Sequence, residues 1–491
     1  MISARAETPP PQGSAEELAA LRSLLLQLDY TEEGVCRHLG IRNIFEFQEK
    51  RPPNYTAEIH AAMDVMVRLF IATIPVEQSL AEKLLPPQSL ELFRRTGFLK
   101  PDSCDPAAML YPVRGLWLAS DVLWKPDDPG SADLVFSAMT TIGGEYLNSL
   151  PPTPCEAFLE LCGGSGVAAL AAAREGASHT WSCDITERST RFAEFNARLN
   201  ELRNVTCLQG DMYQPVAGLS FDRIAVHPPY LPKLETKYVF RDGGEDGEQI
   251  VRAAIAGVPA FLRPGGTFYL TGLTSDRNGK RAEQRIRELL GEGHADFDVA
   301  LVVIKSMAPA DYCLFEVAES RATPEEASAL EKRLLALEIE QLVYGWCIIR
   351  RHAIKRDPFT ARRPSNDRVG WRELSWLIET EALWSDSAVY AGAWDTHPLP
   401  GPNVECFVTR RYSGGGWKDI SCTMRTEYPF KVEISGPPWL AHMAEICDGR
   451  RTVGDVAQML VDGGLIGANP PPMEFLRFLR PFATAGLFRF Q

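Results

Sequence analysis

The 491-residue sequence has no run of about 18 apolar residues, the length that a membrane-crossing helix needs. No apolar stretch follows its first methionine. Met1 to Gly13 is proline-rich instead, so no secretory leader is expected. The 11 cysteines include no C-x-x-C pair. Their odd number and scattered spacing argue against a disulfide framework and against the usual zinc patterns. Free thiols in a reducing compartment fit better. A cytoplasmic location, no membrane partner and no metal follow as expectations; the oligomeric state is left open.

Excess positive charge is also absent. Lys and Arg number 51 against 64 Asp and Glu, a net charge of −13. Nucleic-acid binders draw much of their affinity from neutralising phosphates, so a nucleic-acid partner is disfavoured. One basic cluster exists, at Arg350, Arg351, His352, Lys355, Arg356, Arg362 and Arg363. Its simplest reading is a solvated surface loop. No internal repeat is evident.

What remains is a composition of 45% hydrophobic and 23% charged residues, enough to bury large cores. A chain this long is expected to hold two to four domains. Residues 1–110 read as a helical or winged-helix-like substrate or partner domain. Ser14 and Glu17 form a capping-box signature there, ahead of Leu18, Leu21, Leu25 and Leu28. Further helices are expected near Thr31, over Tyr55 to Ile74, Leu80 to Leu85 and Ser89 to Thr96. Gly97 then stops the last one before an apolar strand. Residues 111–350 alternate short apolar runs with amphipathic stretches, which predicts parallel strands covered by helices. Residues 351–435 read as an α+β linker or accessory region. Residues 436–491 read as a winged-helix-like module, with Thr452 capping a helix to Leu460, a second helix over Pro472 to Pro481, and a strand at Gly486-Leu487-Phe488.

The local chemistry concentrates in the second segment. Glu160-Leu161-Cys162-Gly163-Gly164-Ser165-Gly166 follows an apolar strand and opens a helix. Glycines at such a turn admit a close ligand, and the helix start presents free N–H groups. Alone, the turn also fits dinucleotide enzymes or a mere tight turn. Asp184, followed by Ile185, ends the next apolar run, where a carboxylate can accept from two ribose hydroxyls. Gly210-Asp211-Met212 ends the one after and reads as an adenine clamp. His227-Pro228-Pro229-Tyr230 ends the fourth. Its prolines fix the exit path of the chain. Strand ends of this kind hold the ligands of open α/β sheets.

Residues 157–273 resemble the methyltransferase small domain of the HemK-type, release-factor glutamine methyltransferase family. The family's D-L-G-T-G-S-G turn is matched by Glu160 to Gly166, its second-strand acid by Asp184, and its Asn-Ala pair by Asn196-Ala197. Gly210 to Met212, His227 to Tyr230 and Asp242 to Gly247 match three further motifs. The resemblance implies a class I methyltransferase: α/β, with a Rossmann-like, seven-stranded, doubly wound sheet. It implies S-adenosylmethionine (SAM) as methyl donor, held by Glu160, Cys162, Gly163, Gly164, Gly166, Asp184, Ile185, Asp211, Met212 and His227. It assigns the acceptor to His227, Pro228 and Tyr230.

One departure stands out. The family has Asn where this chain has His227. Neutral histidine offers one donor and one acceptor, so it can orient an amine or amide, serve as a base, or merely hold its loop. The leading expectation is N-methylation of a protein, peptide or other large substrate. Alternatives are O- or C-methylation of a small molecule with His227 as base, methylation of an RNA or DNA base, and a SAM-binding scaffold with little activity.

Overall fold

The computed structural model describes residues 9–47, 58–122, 131–233, 238–365, 369–385, 387–467 and 471–491. The start of the helix expected from Tyr55 and most of the proline-rich leader lie outside them. The chain forms two compact units. One comprises residues up to 274 together with 309–340; the other comprises 275–308 together with 341–491.

The first unit is built on parallel strands β3 (Ala157–Leu161), β4 (His179–Asp184), β5 (Val205–Gln209), β6 (Phe221–Val226) and β7 (Leu262–Arg277). β3 pairs with β4 and β6, β4 with β5, and β6 with β7, all parallel. Strand order therefore reverses direction at β3, which makes the carboxyl ends of β3 and β6 the natural ligand edge. β3 is buried at every position, as a central strand covered on both faces must be. Helix Val167–Arg174 is alanine-rich and buried over its first seven residues, a composition with high helix propensity. Helix Glu187–Leu199 is capped by the Thr186 hydroxyl, which accepts from Ser189 N.

An antiparallel hairpin, β1 (Ala108–Val113) with β2 (Leu116–Asp121), precedes this core. It is held by side chains. Asn196 Oδ1 accepts from Ala119 N at 2.7 Å, and its Nδ2 donates to Ala119 O and Ser165 O, each at 3.0 Å. One helical turn on, Asn200 treats Trp117 the same way, accepting from its N at 2.9 Å and donating to its O at 2.7 Å. Two amides four apart on a helix thus satisfy two residues spaced by two on a strand edge. The N-terminal helices join the same unit: Tyr30 donates to Leu110 O at 2.6 Å, and Arg22 pairs with Glu201. The capping box at Ser14 forms as expected. After Gly97, only an isolated bridge from Leu99 to Pro106 stands where a strand was expected.

In the second unit β8 (Phe297–Met307) pairs antiparallel with β9 (Ile339–Arg351) and parallel with β10 (Thr360–Pro364). Strands β3 to β9 are the seven expected; β10 is an eighth. The basic cluster is largely consumed here. Asp298, wholly buried, accepts from His352 Nε2 at 3.0 Å, from both terminal nitrogens of Arg356 and from Phe359 N at 3.2 Å. Arg362 pairs with Asp276 and Glu283, and Arg363 with Glu381. These cations anchor strands and loops, which corrects the reading of the cluster as a solvated loop. The C-terminal part packs helices Trp439–Ile446, Val453–Asp462 and Pro472–Thr484 around one core, with Leu440, Val456, Leu460, Leu476 and Leu487 inside. Thr452 caps the second of these helices, and the terminal strand lies at Phe488–Phe490. Among the described residues no helix is long and apolar enough to cross a membrane.

Candidate functional site

The four motifs meet at the carboxyl ends of β3, β4, β5 and β6. The glycine turn leaves β3 and is tied to its neighbours by backbone. Gly163 N donates to Cys183 O at 3.0 Å, and Gly210 N donates to Asp184 O at 2.8 Å. Cys162, Gly164 and Gly166 have φ of 53°, 54° and 79°, a region costly for side chains with a Cβ. The glycines differ in purpose. A Cβ on Gly163 would sit 2.2 Å from Ser182 Oγ, and one on Gly166 would sit 2.9 Å from Ala193 Cβ, so both let the turn pack inward. A Cβ on Gly164 would meet nothing within 4 Å. Its face is open, as a turn that cradles a ligand requires.

The acidic residues take separate roles. Asp184 Oδ2 accepts from Gly164 N at 2.9 Å, and Oδ1 accepts from Thr186 N at 3.0 Å and from the Thr186 hydroxyl at 3.1 Å. Oδ2 keeps a lone pair for a further donor. Asp211 is exposed beside Met212, whose φ is 48°. Ile185 is 52% exposed, an apolar side chain left in the open next to Asp184. Burial, reinforced by the nearby charges of Asp184, Glu160 and Asp211, pushes the Cys162 thiol well above its ordinary value.

Glu160 faces inward. Its two oxygens accept from Ala168 N at 3.1 Å and Ala169 N at 2.8 Å, so it braces the start of helix Val167–Arg174. Burial raises its carboxyl from 4.5 to about 8, against the pull of the Ala169 and Ala168 N–H groups. The folded state therefore keeps a proton that the unfolded chain releases near pH 4.5. Stability from this group falls as pH rises from about 4.5 to about 8. Glu160→Gln should flatten the dependence of the thermal midpoint over that range. At pH 5 it should also lose about 1–3 kcal/mol, because its amide NH₂ must face a backbone N–H. A variant whose midpoint still falls with pH as the parent's does would contradict this.

At the end of β6, Pro228 is buried and the ring of His227 lies between two tyrosines. Tyr146, from helix Thr141–Ser149, has its centroid 5.3 Å away, and Tyr230 has its own at 5.7 Å. Burial pushes the His227 imidazole down to about 4, so it is neutral at physiological pH. The Asp242-to-Gly247 run serves this loop. Gly243 N donates to Leu231 O at 2.9 Å, and a Cβ on Gly247, at φ 81°, would strike Tyr230 O at 2.6 Å. Asp246 is pinned by Arg252. These residues seat the His-Pro-Pro-Tyr loop.

Sequence reasoning missed Tyr146 and Thr271. Thr271 follows Leu270, which is in register with Val226, so it stands beside His227 on the adjoining strand. A lone polar residue near the carboxyl end of the apolar run Phe268–Leu273 was the available signal. Tyr146 carried none, since a tyrosine in an amphipathic helix reads as core.

Residues 135–292 match the family model described as methyltransferase small domain. Curated relatives match part of the chain as well. A release factor glutamine methyltransferase of Moorella thermoacetica is 35% identical over 132 residues, covering 24% of this chain and 46% of that protein. One of Xylella fastidiosa is 32% identical over 173 residues, 33% of this chain and 61% of the relative. A ribosomal protein uL3 glutamine methyltransferase of Bradyrhizobium diazoefficiens is 34% identical over 128 residues, 23% and 40% respectively. The chain thus spans roughly half the length of these relatives.

Proposed function

We propose that this methyltransferase small domain uses SAM to methylate the side-chain amide nitrogen of a glutamine in a protein. The observation that carries the reading is the convergence of the open glycine turn, Asp184, Asp211 and the His227–Tyr230 loop on one sheet edge. The relatives named above act on protein glutamine, and the acceptor class is taken from them. The flanking segments, 1–110, 351–435 and 436–491, are proposed to present the protein substrate.

The residues fit the donor. Gly164 leaves room for its methionine part; Asp184 Oδ2 retains a lone pair for a ribose hydroxyl; Ile185 offers an apolar face and Asp211 an acceptor to adenine. When bound, SAM supplies a methyl group already activated by its sulfonium. The chain's own task is placement and desolvation, which can account for roughly 7–11 kcal/mol of a barrier. Transfer would join that methyl carbon to the amide nitrogen as its bond to sulfur breaks, sulfur keeping the electron pair as a thioether. One N–H proton passes to His227 Nε2 and on to water.

The low basicity of His227 supports this reading over O- or C-methylation. An imidazole pushed down to about 4 is a poor base for a hydroxyl or a carbon acid, since general-base efficiency requires a pKa near the working pH. It suffices for the strongly acidic N–H of an amide nitrogen that has just been alkylated. The net charge of −13 argues against a nucleic-acid acceptor.

Isothermal titration with SAM, S-adenosylhomocysteine and NAD tests the cofactor. Micromolar SAM binding is expected, weakened about 100-fold in Asp184→Ala, an affinity loss near 2.7 kcal/mol. Asp211→Ala should weaken it less and leave the thermal midpoint unchanged, because Asp211 is exposed. Absent SAM binding, or a preference for NAD, would overturn the reading.

A further inference from the structure

Nine buried side-chain polar atoms among the described residues have no hydrogen-bond partner, and three of them belong to neighbours: Tyr146 Oη, His227 Nε2 and Thr271 Oγ1. The Tyr146 and His227 rings are 5.3 Å apart. Thr271 adjoins His227 through the register that pairs Val226 with Leu270. Thr271 is fully buried, and Tyr146 is 3% exposed. The Tyr146 hydroxyl lies near enough to Glu160 for the two to perturb each other, yet makes no hydrogen bond of normal geometry.

An orphaned buried polar group costs about 1–3 kcal/mol, and folded proteins leave few of them. Three together, at the ligand edge of the sheet, indicate that a ligand supplies their partners. Their chemistry says which ligand. Two hydroxyls offer two donors. The imidazole nitrogen, in the tautomer protonated at Nδ1, offers one acceptor. A primary carboxamide is the complement: its carbonyl oxygen has two lone pairs, and its nitrogen has an N–H to give.

We propose that Tyr146, His227 and Thr271 form the recognition pocket for the acceptor's carboxamide, with both hydroxyls donating to the carbonyl oxygen and the amide N–H donating to His227 Nε2. The arrangement rests on the reading of this domain as an amide methyltransferase and adds two residues to it. It explains how the pocket keeps amide specificity with histidine in the position of the family's asparagine. A carboxylate in the same place has no N–H for His227. The two hydroxyls on the carbonyl oxygen and His227 on one N–H fix the plane of the amide, so that its nitrogen is presented to the methyl group in one orientation.

The test uses the full chain, tritiated SAM, and matched synthetic peptide libraries containing glutamine or glutamate. Thr271→Val and Tyr146→Phe remove one hydroxyl each at nearly constant shape. Each should cut kcat/KM for glutamine peptides at least tenfold, chiefly through KM, while SAM affinity stays within twofold. Thr271→Val should also keep or raise the thermal midpoint, because it removes an orphan; a merely structural threonine would lower it. Unchanged kcat/KM in both variants overturns the pocket while leaving the methyltransferase reading intact. A wild-type chain that binds SAM but methylates no glutamine peptide overturns the acceptor reading and the pocket with it.

Discussion

Asn196→Leu should lower unfolding stability by about 3–5 kcal/mol, the largest single effect expected in the first unit. The substitution nearly preserves volume, so no large cavity arises. What it removes is three partnerships in a fully buried place: Ala119 N, Ala119 O and Ser165 O all lose their amide. Each stranded backbone group costs about 1–3 kcal/mol. The three are not independent, because the hairpin can shift as one piece, hence the lower part of the summed range of about 3–9 kcal/mol. Ser165 belongs to the glycine turn, so SAM affinity should fall along with the thermal midpoint. Asn200→Leu, at a partly exposed position, should cost less. A midpoint for Asn196→Leu within about a degree of the parent would mean that the hairpin is held by something else.

The second large effect is expected at Asp298. Asp298→Ala should cost about 3–5 kcal/mol, the usual result of removing one partner from a buried ion pair. Two cationic or polar groups are stranded at once: the Arg356 guanidinium, with both terminal nitrogens on this carboxylate, and buried His352. Phe359 N also loses its acceptor. Asp298→Asn keeps one acceptor oxygen and should recover part of the loss. Thermal unfolding of the two variants side by side checks this. Equal midpoints for Ala and Asn would show that the charge matters and the acceptor does not.

The sequence disclosed the site where chemistry forces unusual residue types into fixed order. Gly163, Gly164 and Gly166 are legible because the turn demands positive φ or close packing, and Pro228 and Pro229 because they fix the chain's exit. Asp184 and Asp211 are legible because each ends an apolar run. The sequence was mute where meaning depends on distant partners. Nothing local distinguishes Asn196 from any helix asparagine, since its partners lie 77 and 31 residues away. Arg356, Arg362 and Arg363 read as solvated because the carboxylates that take them are distant in sequence. Glu160 was expected to face the donor with the glycines, whereas its oxygens turn to the helix start. Fold class was legible from strand–helix alternation. The strand at Thr360–Pro364 was not, being short and carrying Arg362 and Arg363 within five residues.

The way the chain is threaded has a consequence for its biosynthesis. It passes between its two units three times, after residues 274, 308 and 340. The first unit therefore cannot complete itself when its motifs have emerged from a ribosome; it must wait for helices Pro309–Ala318 and Pro324–Ala336. Synthesis at about 5–20 residues per second makes that a delay of several seconds, during which the rest of the unit stands without them. A gene trimmed at residue 292, where the family match ends, would produce that unfinished form permanently.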